Sequence, residues 1–305
     1  GPTLAGACAV SMGWRSSFFL LIALSVVFLV LAVMVLPKQR VDASDVHRLD
    51  VPSVVFSTLG FGGVLMGLSN VATYGIADVR CIVPCVIGAI CLVLFVRREQ
   101  TADEPMLHLD VFKDRDFTVG TVMICALFAA FIGVTLLIPL YVQGVLGDTA
   151  LQSGMILFPG VIAALIVNPL SGWLMGRIGP RPIVCISAVL LVVGTVGLMH
   201  LGNMTDLYAM AAWQGVRAFG ISGLIMPIST WSFEKLGPRT ADGTSISSAI
   251  RQIASAVGTS IIVLLAAEGV PGGAVTSSGT DVAMTFSLVM SLIVLAMSFA
   301  FVDRK

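Results

Sequence analysis

Apolar residues in this chain run in long unbroken stretches separated by short polar loops, with no strict two-residue alternation. A bilayer core about 30 Å thick is crossed by about 20 residues of helix, and within it each backbone polar group must be paired inside its own segment. Nine stretches meet that length: Ser16 to Leu36, Ser53 to Thr73, Val79 to Val96, Phe117 to Val142, Ser153 to Gly176, Ile183 to Leu201, Leu207 to Thr230, Thr244 to Ala267 and Val282 to Val302. They predict an all-α, polytopic transmembrane bundle of about nine complete helices. Continuous apolar runs exclude a membrane β-barrel. Gly1 to Met12 is apolar and small-residue-rich, without a charged leader, and reads as the stump of an earlier, truncated helix.

Composition agrees. Hydrophobic residues make up 57% and charged residues 11% of the 305, against about a quarter charged in a soluble domain. The net charge is zero, which leaves no basic face for nucleic acid. The placement of charge is more informative. Thirteen of the seventeen Lys and Arg residues fall in the loops 37–52, 97–116, 177–182 and 231–243 and the tail 303–305, while the alternate loops hold only Arg15 and Arg80. The positive-inside rule makes the basic set cytoplasmic. The carboxyl terminus is then cytoplasmic and the Gly1 end lies near the outer face of a cell inner (cytoplasmic) membrane. The two longest basic loops bracket the helices at 53–73 and 79–96, a hairpin that reads as an insert. Three parts follow: 1–36, closing an amino-terminal half; 37–116, a central linker with the hairpin; and 117–305, a six-helix carboxyl-terminal half.

Six cysteines stand singly in or beside apolar runs, and three histidines lie in loops or at a helix end. Neither set has metal or redox spacing, so neither a metal site nor a cofactor is expected. Cys81 and Cys85 share a helix face, as packing residues. No phosphate-binding Gly-x-x-x-x-Gly-Lys-Ser/Thr loop occurs, which disfavours a primary pump, and no nucleophile, base and acid converge at one depth as an enzyme would need.

The candidate chemistry lies in polar residues inside apolar helices. Arg217 sits mid-helix, where a charge costs between about 3 and 17 kcal/mol unless water or a partner relieves it. It reads as lining a substrate path or coupling to protonation, or as a structural arginine bonded to helix carbonyls. Arg251 stands about two turns from its helix start and can snorkel. Gln214, one turn before Arg217, and Gln252, beside Arg251, are amides able to orient a guanidinium or bind substrate. Asn168 beside Pro169, and Gln143 near Tyr141, read as interhelical bonding groups or path residues. Trp213, Phe219, Met226 and Trp231 offer an adaptable apolar surface, Trp231 equally an interface anchor. Pro139, Pro159, Pro169 and Pro227 interrupt helix ladders, a feature of midplane transport sites. Gly63 with Gly67, and Gly172 with Gly176, have the spacing of close helix contacts.

Several motifs occur in a fixed order. Gly1-Pro2-Thr3-Leu4-Ala5-Gly6 precedes Gly13-Trp14-Arg15 and an aromatic-rich helix. Ser57-Thr58-Leu59-Gly60-Phe61-Gly62-Gly63 opens the hairpin. Leu140-Tyr141-Val142-Gln143 is followed by Leu151-Gln152-Ser153-Gly154. Gly172-Trp173-Leu174-Met175-Gly176-Arg177-Ile178-Gly179-Pro180-Arg181-Pro182 forms a short loop, and Gly243-Thr244 leads to Ile250-Arg251-Gln252. This order resembles the major facilitator superfamily, specifically its 14-helix drug:proton antiporter branch, from the end of helix five onward. Ala5 departs from the usual Gly-Pro-x-x-Gly-Gly, and Gly176 stands where the family's loop motif often has Asp. The resemblance implies proton-coupled multidrug efflux by alternating access, with small amphipathic or cationic drug-like substrates. It implies conformational roles for Gly1, Pro2, Gly6, Gly172, Arg177, Gly179 and Arg181, and makes the hairpin the pair that distinguishes 14-helix from 12-helix members. Because Asp148, Asp206, Glu268 and Asp281 lie at outer helix ends or loops, the proton carriers are expected in missing amino-terminal helices. A transporter of one specific metabolite and a non-transporting membrane scaffold or sensor remain as alternatives.

Overall fold

The computed structural model describes residues 13, 15–35, 50–101 and 107–302. Among them are nine long helices: α1 (Arg15–Val35), α2 (Val51–Tyr74), α3 (Val79–Thr101), α4 (Arg115–Gly144), α5 (Ala150–Ile178), α6 (Pro180–Gly197), α7 (Leu207–Phe233), α8 (Thr240–Ala266) and α9 (Ser277–Phe301). The described residues contain no strand. Each predicted stretch becomes one helix, and most run several residues past their apolar core because polar caps supply the first turn. Asp114 accepts the N–H groups of Asp116 and Phe117 at 2.8 and 3.1 Å at the start of α4. Thr149 and Gln152 form a reciprocal capping box on α5, and Asp206 and Thr276 cap α7 and α9. Such side chains satisfy backbone donors that the helix itself leaves free.

The sixth predicted span is the exception. Its helix stops at Gly197, four residues before the expected Leu201, and the chain turns into a 3-10 segment over Leu201–Asn203. Leu198 and Leu201 are fully buried, so hydropathy continues where the helix does not. The proline expectation was also incomplete, since Pro84 lies inside α3 beside the four named prolines of α4, α5 and α7.

Helices α4 and α7 are central. The first packs on α8 and α9, the second on α5 and α6; the two touch each other, and α6 packs on α9. Exchanging α4 with α7, α5 with α8 and α6 with α9 reproduces this set of pairings, the relation expected of two three-helix repeats. The hairpin α2–α3 is tightly packed, with Gly63 against Pro84 and Gly88, and Gly67 against Cys81 and Cys85. It leans on α8, where Ser260 Oγ donates to the Leu68 carbonyl at 2.6 Å. The large apolar side chains of α1 are exposed, from Phe18 to Val35.

Eight of the nine helices are long and apolar enough to cross a membrane. Helix α7 falls short because Gln214, Arg217 and a series of serines dilute it. Its neighbours α4, α5 and α6 cover its polar residues Gln214 and Arg217, and its exposed face is apolar at Trp213, Phe219 and Met226.

Among the described residues, contacts join the loops at each end of the bundle. At the basic end, His108 bonds Asp242 at 2.9 Å, Lys235 pairs with Asp116 at 2.5 Å, and Arg115 stacks on Phe301 at 5.3 Å. At the opposite end, Asp281 accepts from the Gly202 N–H at 2.8 Å and from Asn203 at 3.0 Å, and the Gly272 N–H reaches the Ala72 carbonyl at 2.9 Å.

Candidate functional site

Helices α4, α5 and α7 line a partly open cavity of about 300 Å³, on the side of the six-helix half where Val161 and Asn168 are exposed. Its wall is mostly apolar, with Phe131 and Ile221 prominent, and its polar groups are the neutral side chains of Thr135, Asn168, Gln214 and Ser222. Small residues let α5 and α7 approach: a Cβ on Gly160 would lie 3.1 Å from Ala218, and one on Gly215 3.2 Å from Pro159. Gln214 is 3% exposed, and its Oε1 has no hydrogen-bond partner among the described residues. A buried acceptor left unpaired costs about 1 to 3 kcal/mol, a cost a bound donor removes.

Arg217 follows Gln214 by one turn but points elsewhere. It is fully buried, and one terminal nitrogen donates to the Ala130 carbonyl at 3.2 Å and to Ser287 Oγ at 3.4 Å. Its Nε and other terminal nitrogen have no partner among the described residues. The α7 backbone at Arg217 presses on Gly194 of α6, where a Cβ would collide. Arg217 therefore sits between α4, α6 and α9, away from the cavity, with the carbonyl contact of a structural arginine.

Arg251 of α8 is half-buried and lays its guanidinium over the Phe128 ring at 4.7 Å. Phe128 in turn meets Phe131 edge-on at 5.9 Å. Phe128, Phe131 and Thr135 recur at i, i+3 and i+7 and share one face of α4, so a continuous strip leads from Arg251 to the cavity. Gln252 is exposed on the adjoining face of α8.

The remaining predicted residues are dispersed. Tyr141 is buried at the end opposite the basic loops and donates to the Gly202 carbonyl at 2.9 Å. Gln143 is exposed and donates to Ser153 Oγ at 3.0 Å, the interhelical bond between α4 and α5 that was one of its two readings. Trp213 packs its ring on Gly197, and Met226 is 51% exposed. Trp231 is 3% exposed within a core cluster, which corrects the interface-anchor reading. Among the described residues no heavy atom lies within 4 Å of where a Cβ on Gly172 or Gly176 would stand, whereas Gly63 and Gly67 make the close helix contact expected from their spacing. Arg177 stacks on Trp173 at 4.0 Å and borders a cleft of about 770 Å³ shared with Gly176, Gly179, Phe233 and Glu234. Gly179, at φ +79°, turns α5 into α6 in a backbone region that side chains disfavour. Arg181 reaches the Phe299 carbonyl at 3.4 Å. Gly1, Pro2 and Gly6 lie outside the described residues.

The sequence profile of the Major Facilitator Superfamily matches residues 1–259. The chain belongs to the Major Facilitator Superfamily. It is 34% identical to the MFS-type transporter YhcA of Bacillus subtilis over 87% of this chain and 50% of that protein. It is 31% identical to the lincomycin resistance protein LmrB of Listeria monocytogenes, over 88% of this chain and 57% of that one. A multidrug resistance protein B homolog of Mycobacterium tuberculosis is 26% identical over 93% of this chain and 53% of its own length. The chain spans about half the length of the curated relatives it matches. Membership of the Major Facilitator Superfamily makes this a multi-pass membrane protein of a transporter family, not of an enzyme family.

Among the residues that line the cavity, Gln214 and Asn168 are marked by the sequence as polar groups in apolar helices, whereas Phe131, Thr135 and Ser222, and Phe128 beside them, are not. The i, i+3, i+7 recurrence on α4 was a readable signal. Without the positions of α5 and α7, nothing distinguished that face from the lipid-facing one.

Proposed function

We propose that the chain supplies the carboxyl-terminal half of a secondary active transporter that exports small amphipathic, drug-like compounds in exchange for protons by alternating access. The observation that carries the reading is the cavity between α4, α5 and α7, apolar in its walls and holding the buried Gln214, whose Oε1 has no partner among the described residues, in a chain of a transporter family. Several relatives are named as drug-resistance proteins, which supports export of drug-like compounds over uptake of a nutrient. Residues 1–36 would close the amino-terminal half, 37–116 would link the halves and carry the α2–α3 hairpin as the extra pair of a 14-helix transporter, and 117–305 form the second half. The cavity would be completed by amino-terminal helices of the same protein. Those helices would hold the proton carriers, because the acids of α4 to α9 sit at helix ends and loops. The basic end faces the cytoplasm of an inner membrane under the positive-inside rule, and lipid covers the apolar perimeter.

The test is proton flux in inverted membrane vesicles containing the full-length protein. Addition of amphipathic drugs should collapse a preset pH gradient in the presence of the protein and leave it intact in vesicles lacking it. A gradient unmoved across a broad panel of such compounds, with the protein present at normal abundance, would overturn the reading.

A further inference from the structure

The membrane-spanning portions of α4 to α9 carry two charged residues, Arg217 and Arg251; every Asp, Glu, Lys and His of this half lies at a helix end or in a loop. Both embedded charges are positive. Arg217 is sealed in the core. Arg251 is half-buried, stacked on Phe128, and its side chain makes no hydrogen bond or ion pair among the described residues. Stacking occupies one face of a guanidinium and leaves its edge donors free, in the planar fork that matches a carboxylate. In a site of low dielectric, a fixed positive charge of this kind attracts an anion and repels a cation far more strongly than in water. The cavity at the other end of the strip offers neutral polar groups and no acid to offset that field.

We infer that the strip from Arg251 across Phe128 and Phe131 to Gln214 binds amphipathic compounds bearing an acidic group, with the anion on Arg251 and the apolar body in the cavity. This rests on the transport reading above and narrows it. Cationic drugs would need carboxylates from the other half, whereas organic acids find their counter-charge here. An anionic phospholipid presents the same chemistry as a transported acid.

The test uses a fluorescent dansyl body carrying a carboxylate, a neutral amide or a trimethylammonium group on one linker, with binding to the purified full-length protein followed in neutral detergent. The carboxylate probe should bind about tenfold or more tighter than the ammonium probe, as expected where like charges oppose. Arg251→Gln should erase that ratio and Arg251→Lys retain it, while Gln214→Leu should weaken all three probes together. Equal or tighter binding of the ammonium probe, or a ratio unchanged in a folded Arg251→Gln protein, overturns the charge inference and leaves the transport reading standing. Failure of all three probes to bind overturns both. Displacement of the carboxylate probe by phosphatidylglycerol, but not by phosphatidylcholine, would identify the acid as a bilayer lipid; displacement only by soluble acids would identify it as a transported compound.

Discussion

A few glycines and one arginine decide how closely the central helices pack. A Cβ at Gly258 would meet the Ala129 backbone of α4, and one at Gly220 or Gly194 would collide across the α6–α7 contact. The obstacle is backbone in each case, so no side chain can rotate away. Gly258→Val should therefore cost about 1 to 3 kcal/mol or more, read as a lower melting temperature in detergent, while Gly172→Ala and Gly176→Ala leave it unchanged. Arg217→Ala removes a large buried side chain and strips Ala130 and Ser287 of a donor, with an expected loss of about 2 to 5 kcal/mol. Arg217→Met keeps the volume and removes the charge, and a buried charge replaced by a packed apolar residue is often neutral for stability. The Met variant is expected to fold and melt near the parent temperature; if its transport is also unchanged, Arg217 is structural alone. Sequence identified Arg217 and Gln214 as polar residues that lipid would not tolerate. It could not show that one turn of α7 sends them to different places, because that depends on which helix covers each face.

At the scale of elements, the hairpin α2–α3 is closed at its basic end by a clamp. Asp50 precedes α2 and takes two hydrogen bonds from Arg98, at 2.7 and 2.8 Å, and one from Ser53 at 2.7 Å. These bonds, that from Arg98 foremost, lower its carboxyl from 3.8 to about 2. A depressed carboxyl stabilises the fold above its unfolded value, and the effect is lost as pH falls through the folded one. The clamp is thus complete above about pH 4 and open below about pH 2. Asp50→Asn should melt below the parent protein at pH 6, and the gap between the two should close on acidification toward pH 2. At the other end of the half, the turn between α8 and α9 is held by Glu268, which accepts from the Thr276 hydroxyl at 2.8 Å and from Ser278. Eight of the nine helices were legible because each carries an apolar run of bilayer length; α7, diluted by Gln214 and Arg217, was legible from its length between polar breaks. Their ends were less so, since caps such as Asp114 and Thr149 lie outside the apolar window, and buried leucines after Gly197 prolong it past the true end of α6.

At the scale of the molecule, charge separates the two ends, and this can be checked without a substrate. The basic loops meet one another through His108 with Asp242 and Lys235 with Asp116, while Asp78, Asp148, Asp206, Glu268 and Asp281 mark the opposite end beside Arg80. Basic segments are retained in the cytoplasm during insertion, so residue 113 should be inside and residue 270 outside. Lys113 and Val270 are exposed, and each can carry a single cysteine in a background where the native six are replaced. Val270→Cys should react with a membrane-impermeant maleimide in intact cells, and Lys113→Cys only after permeabilisation. The reverse pattern would invert the orientation and with it the direction of export. Labelling of both from one side would break the two-ended architecture itself, on which the placement of the cavity between the ends depends.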